Sequence, residues 1–147
     1  MSNISKNKDL VLNNGVEIPI IGLGTYQMHG YELEKAIEKG LEAGYRHFDT
    51  AALYGNEEEI GNALNNLGVK REDIFITSKV WNDDQGYDNT MKAIDVSLEK
   101  LQTDFVDLYL VHWPIPEKRA STWEAMIQIY DDRKARSIGV SNYTSAH

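Results

Sequence analysis

Gly44-Tyr45-Arg46-His47-Phe48-Asp49-Thr50-Ala51-Ala52-Leu53-Tyr54-Gly55-Asn56-Glu57 is the stretch around which the rest of this chain is organised. A short apolar run ends in a carboxylate, Asp49, and Tyr54 follows in a loop next to a glycine. Two later apolar runs end in the same way. Lys79 closes Ile74-Phe75-Ile76-Thr77-Ser78, and His112 closes Val106-Asp107-Leu108-Tyr109-Leu110-Val111. Short apolar runs bounded by turn residues read as buried strands. When such strands are parallel, their carboxyl ends share one face, and the loops on that face build the site. Each group has an ordinary use on its own: Asp49 as a helix cap, Lys79 as a solvated charge, Tyr54 as a packed aromatic, His112 as a structural ring. An Asp, a Tyr, a Lys and a His converging on one face point instead to chemistry.

Working outward, Leu10-Val11-Leu12 and Val16-Glu17-Ile18 flank the turn signal Asn13-Asn14-Gly15, which predicts a small hairpin ahead of the main body. Pro19 to Thr25 reads as a strand interrupted by Gly22 and Gly24, and glycine at a strand end allows close backbone approach to a ligand. Leu33, Ala36, Ile37, Gly40 and Leu41 mark a helix from about Glu32 to Ala43, stopped by Gly44. A second helix is expected from about Glu58, with Ile60, Ala63, Leu64 and Leu67 on one face and Gly68 as its stop. Glu57, Glu58 and Glu59 read as acids favouring its positive end. Met91, Ile94, Leu98 and Leu101 mark a third helix capped by Asp88 or Asn89, and the strand Phe105 to Val111 follows. Ser121-Thr122-Trp123-Glu124 has the form of a capping box, with Trp123, Met126, Ile127 and Tyr130 as the buried stripe of a fourth helix. The strand Ser137 to Val140 then runs into Ser141-Asn142.

Strand and helix alternate with the period of a βαβ unit, which implies a parallel sheet. A doubly wound nucleotide-binding sheet would carry G-x-G-x-x-G after its first strand. Gly22-Leu23-Gly24-Thr25-Tyr26-Gln27 lacks the third glycine. The expected class is therefore α/β of the (β/α)8 barrel type, here the hairpin plus the first five strands and four helices. One domain over residues 1–147 is expected, incomplete at its C-terminal side, because a whole barrel takes about 250 residues.

A formal charge of −8, with lysines and arginines scattered among acids, argues against nucleic-acid and anionic-membrane partners. The absence of cysteine removes disulfides, thiolate metal sites and thiol nucleophiles. No metal site is expected from the acidic run. Met1-Ser2-Asn3-Ile4-Ser5-Lys6 has no leader-like apolar core, and no run reaches the roughly 20 apolar residues of a membrane span, so the expected location is cytoplasmic. A tyrosine beside an ammonium becomes a better proton donor, since the cation stabilises the phenolate. A carboxylate next to the lysine keeps it charged, and a neutral imidazole can orient a substrate oxygen. Such a site protonates an oxygen as negative charge develops on it, as when a carbonyl receives hydride, and the hydride must come from a cofactor.

Five segments together, Gly44 to Ala51, Tyr54-Gly55-Asn56-Glu57, Ile76 to Trp81, Leu110-Val111-His112-Trp113-Pro114 and Ile138-Gly139-Val140-Ser141-Asn142, resemble the aldo-keto reductase family in motif and in order. The likeness runs from the hairpin to the last residue and leans towards bacterial aldehyde and 2-oxoaldehyde reductases. It implies a (β/α)8 barrel that reduces aldehydes and ketones with NADPH, NADH not being excluded. It implies Tyr54 as general acid, Lys79 as its cationic partner, Asp49 as the carboxylate on that lysine, and His112 as the group orienting the substrate carbonyl. It further implies cofactor contacts at Gly24, Thr25, Asp49, Ser141 and Asn142, and a substrate pocket walled by Tyr26, Trp81, His112 and Trp113. The expected partner is a small carbonyl substrate. The alternative is a truncated, catalytically weak half-barrel that self-associates or binds a complementary half through exposed strand edges. Arg133 stands at a helix end where this family often has glycine.

Overall fold

The protein is described here by a computed structural model covering residues 9–147; the opening residues, whose lack of a leader-like core is a reading of sequence alone, lie outside the described residues. β1 (Asp9–Val11) and β2 (Glu17–Pro19) pair antiparallel, with Leu10 opposite Ile18. Gly15 turns the hairpin at φ 85°, a backbone that a β-carbon would strain. Then come β3 (Leu23–Gly24), α1 (Gly30–Ala43), β4 (His47–Asp49), α2 (Glu57–Asn66), β5 (Phe75–Val80), α3 (Tyr87–Leu101), β6 (Val106–Val111), α4 (Arg119–Asp131) and β7 (Ala135–Val140).

Each helix buries one face on the sheet, as Leu33 and Ile37 do in α1 and Ile94 and Leu98 do in α3. Gly44 ends α1 at φ 94°, its N–H closing on the Gly40 and Leu41 carbonyls. The five parallel strands lie in chain order, β3-β4-β5-β6-β7, and consecutive helices pack on one another. A doubly wound sheet would reverse its strand order partway across. The sequential order gives an arc of a (β/α)8 barrel behind a hairpin, as the sequence implies. Among the described residues β3 and β7 each have a sheet neighbour on one side only. No helix is long and apolar enough to cross a membrane among these residues.

Alternation along β5 divides its side chains between two faces. Ile76 and Val80 join the core under the helices, and Ser78 meets α2. Thr77 and Lys79 therefore point to the concave face, where Thr77 Oγ1 meets His47 Nε2 at 2.9 Å.

Four expectations are corrected. The strand expected over Pro19 to Thr25 shrinks to Leu23–Gly24, since Pro19 belongs to the hairpin. A β-carbon on Gly22 would stand 2.8 Å from His47 Nδ1, so that glycine makes room for the imidazole. α3 has no side-chain cap from Asp88 or Asn89; it starts after Gly86 at φ 106°, whose N–H is taken by Thr122 Oγ1 at 2.9 Å. The capping box does not form either. α4 begins at Arg119, and Ser121 gives its hydroxyl to the Lys118 carbonyl at 3.1 Å. Its buried face is Thr122, Ala125, Met126 and Ile129, leaving Trp123, Ile127 and Tyr130 exposed at 38%, 45% and 41%. Apolar residues lie almost all round this helix, so periodicity alone does not choose a face. Glu57, Glu58 and Glu59 do lie in the first turn of α2, as expected, and two of them have partners besides. Glu57 is buried against Ser78 and Ser97, and Glu59 accepts from the Gly30 N–H and meets His29 Nδ1. Arg133 does adopt the left-handed backbone, at φ 61°, that glycine takes more readily.

Candidate active site

The groups singled out in the sequence lie at the carboxyl end of the sheet. Asp49 is the last residue of β4, and its carbonyl accepts from both the N–H and the hydroxyl of buried Thr25, each at 3.0 Å. The chain then makes one tight turn over Ala52–Tyr54, ended by Gly55 at φ 66°, which folds Tyr54 back over the strand ends. Lys79, next to last in β5, is nearly buried. A buried ammonium is tolerated only when paired and hydrogen-bonded, and its Nζ donates to Asp49 Oδ1 at 2.6 Å and to the Thr50 carbonyl at 2.9 Å. The same Nζ lies 5.2 Å from the centre of the Tyr54 ring.

His112 follows β6 directly, with its N–H on the Val80 carbonyl at 3.2 Å. Its ring is edge-on to Tyr54 at 5.8 Å and to Trp81 at 5.3 Å. Burial holds this imidazole below its ordinary pKa, the Lys79 ammonium adds to the effect, and Asp49 opposes it. The ring is accordingly neutral near pH 7. The Tyr26 ring packs against Tyr54 at 5.0 Å, so Tyr26, Tyr54, His112 and Trp81 form a continuous run of rings. Trp113 follows His112 in the chain and is 45% exposed; its carbonyl accepts from Gln85 Nε2 at 2.8 Å.

Ser141 and Asn142 leave the end of β7. Ser141 N–H donates to the Val111 carbonyl at 2.8 Å, and Asn142 Nδ2 donates to the His112 carbonyl at 2.9 Å and to Ser141 Oγ at 3.1 Å. Gly24, on the opposite flank, faces open space: a β-carbon there would meet nothing within 4 Å. His112 Nδ1 is buried without a hydrogen-bond partner. An open glycine edge, a free polar atom and an amide and hydroxyl at the far strand end suit a flat polar ring laid across the strand termini. Among the described residues no cluster of His, Asp and Glu could hold a metal ion.

Asn56 carries part of this architecture and was given no role by the sequence reading. Fully buried, it accepts from Thr50 Oγ1 at 2.7 Å and donates to the Thr25 and Met28 carbonyls at 2.8 and 3.0 Å. It thereby fixes the loop that bears Tyr26. Its place after a glycine suggests a helix cap, and nothing local in a sequence marks a polar residue as buried.

A cavity of about 630 Å³ lies at the other end of the strands, lined in part by the hairpin, Tyr45, Phe75 and Arg136. It contains none of the candidate groups. Asp107 on its wall is fully engaged by Arg71, Arg136 and the Ile76 N–H.

A sequence profile described as the aldo/keto reductase family matches residues 20–147. The chain is 50% identical over 142 residues to the glyoxal reductase of Bacillus subtilis, a match covering 95% of this chain and 51% of that protein. Among solved structures it is similar to an aldo/keto reductase from Brucella melitensis, with a TM-score of 0.91 and 49% identity, over 95% of this chain and 55% of the other. It is also similar to an aldo-keto reductase of Bombyx mori in complex with NADP, with a TM-score of 0.85 and 38% identity, over 96% and 52% of the two chains. The chain spans about half the length of the curated relatives it matches.

Proposed function

The chain belongs to the aldo/keto reductase family, and from that premise we propose that it carries the acid–base half of a nicotinamide-dependent carbonyl reductase site. The observation that carries the reading is the Lys79 ammonium, held by Asp49 at 2.6 Å and lying 5.2 Å from the Tyr54 ring centre, with neutral His112 edge-on to that ring at 5.8 Å. NADPH bound along Gly24, Thr25, Asp49, Ser141 and Asn142 would supply a hydride to the substrate carbon. NADPH is preferred because a related structure binds NADP.

The residues of this chain then do the rest. His112 hydrogen-bonds the substrate carbonyl oxygen and orients it. Tyr54 gives its phenol proton to that oxygen as negative charge builds there, so that the carbonyl becomes an alcohol. Lys79 stabilises the phenolate left behind until solvent returns the proton, and Asp49 keeps the lysine in place and charged. Tyr26, Trp81 and Trp113 offer flat apolar walls, which favour small carbonyl compounds. Residues 1–147 would form one domain, the amino-terminal portion of the barrel, with the rest of the cofactor held elsewhere. A cytoplasmic setting accords with the lack of cysteine.

One observation favours a second reading. The exposed Trp123, Ile127 and Tyr130 on α4 and the edge of β7, which has no further strand among the described residues, form a flank through which the chain would self-associate or receive a complementary half-barrel.

NADPH oxidation with a panel of carbonyl compounds tests the first reading. Short 2-oxoaldehydes, as the likeness to a glyoxal reductase suggests, and small aromatic aldehydes are expected to turn over faster than bulky charged ketones. The opposite ranking, or no oxidation with any of them, would count against it.

A further inference from the structure

Glu57 is 2% exposed, yet among the described residues no cation pairs with it directly. Its carboxyl is held instead by two hydroxyls, Ser78 Oγ at 2.5 Å and Ser97 Oγ at 3.2 Å. An apolar side chain of similar volume would fill that space without the penalty of burying a polar group, so packing alone does not account for it.

Its position in the chain does. Glu57 opens α2, three residues after Tyr54, and Ser78 immediately precedes Lys79 in β5. Successive side chains of a strand point to opposite faces, so holding Ser78 from the helix side fixes how far Lys79 projects on the other. Asn56 latches the same short segment to Thr50, whose carbonyl receives Lys79 Nζ, and to the loop bearing Tyr26. The turn that carries the tyrosine is thus tied to the strand that carries the lysine by the Glu57–Ser78 hydrogen bond.

We propose that Glu57 is a positioning residue that sets the placement of the Tyr54 phenol against the Lys79 ammonium. This rests on the roles given to those two residues above. Misplacement by a fraction of an ångström at a reacting centre lowers turnover steeply, while substrate binding through the aromatic walls is little affected.

The test uses the protein as its gene encodes it, labelled with 3-fluorotyrosine, with the Tyr54 fluorine signal assigned by its loss in Tyr54→Phe. Ser78→Ala and Glu57→Leu are compared with Glu57→Gln, which keeps a neutral group able to bond both serines. In Ser78→Ala and Glu57→Leu the Tyr54 signal is expected to move, kcat for aldehyde reduction to fall about tenfold with KM nearly unchanged, and the pH–rate profile to be displaced. Glu57→Gln should restore all three. Ser78→Ala removes a single hydroxyl and guards against the case in which Glu57→Leu fails to fold. A Tyr54 signal and pH–rate profile unmoved in Ser78→Ala would overturn the proposal, even if stability fell. A signal that moves in a protein with no reductase activity would uphold the positioning role and count against the reductase reading instead.

Discussion

Glu57 is held above the ordinary carboxyl value of 4.5, chiefly by burial, with the hydrogen bonds from Ser78 and Ser97 and the charge of Lys100 pulling the other way. The folded protein therefore keeps a proton that the unfolded chain releases first. The stability tied to that proton is complete below about 4.5 and is lost as pH rises through the folded value. His47 and His112 act in the opposite sense. Burial holds both below 6.5, so the unfolded chain protonates first as pH falls beneath that value, and stability drops. Glu57→Gln keeps a neutral side chain at every pH. Its unfolding free energy relative to the parent is expected to improve as pH rises from 4.5 to the folded value and to level off above it, read by urea denaturation at a series of pH values. A difference constant across that range would mean that Glu57 ionises freely in the folded state. At this scale the sequence displays well which polar groups gather at the strand ends, because Asp49, Tyr54, Lys79 and His112 end or follow apolar runs. It hides Asn56 and Glu57, whose burial is decided by Thr25, Ser78 and Ser97 in distant segments.

The elements pack closely enough for one missing β-carbon to matter. Gly61 in α2 faces the end of α3, where an added β-carbon would lie 2.6 Å from the Lys100 carbonyl oxygen and 2.9 Å from that of Leu101. Backbone atoms cannot swing aside as a flexible side chain can. In an isolated helix Gly→Ala would add about 1 kcal/mol, but here Gly61→Ala is expected to destabilise by about 1–3 kcal/mol. A denaturant midpoint equal to or above the parent's would show that α2 and α3 separate readily. The elements themselves were legible where one face is clearly apolar, as in α1 with Leu33, Ile37 and Gly40. α4 was not, since Trp123, Ile127 and Tyr130 compete with Ala125, Met126 and Ile129 for the interior. The buried face includes Thr122, which accepts from the Gly86 N–H, a pairing no local pattern displays.

Across the whole molecule, the sequential strand order follows from the βαβ alternation and the missing third glycine, and so is legible in the sequence. The exposed flank formed by α4 and β7 was legible only as an unpaired edge; its apolar stripe emerged with the fold. Purified chain is expected to show concentration-dependent association by light scattering, weakened by Ile127→Lys. A single monodisperse monomer at all concentrations would contradict a sticky flank. The central claim, that this arc of barrel carries the proton-donating centre of a carbonyl reductase, is tested most directly by Tyr54→Phe in the protein as its gene encodes it. NADPH oxidation with a 2-oxoaldehyde and NADPH binding by fluorescence are measured side by side. The account predicts that kcat/KM falls by roughly 10²–10⁴ while cofactor affinity hardly changes, because a proton donor is lost and no cofactor contact is. Activity within a few-fold of the parent would contradict it.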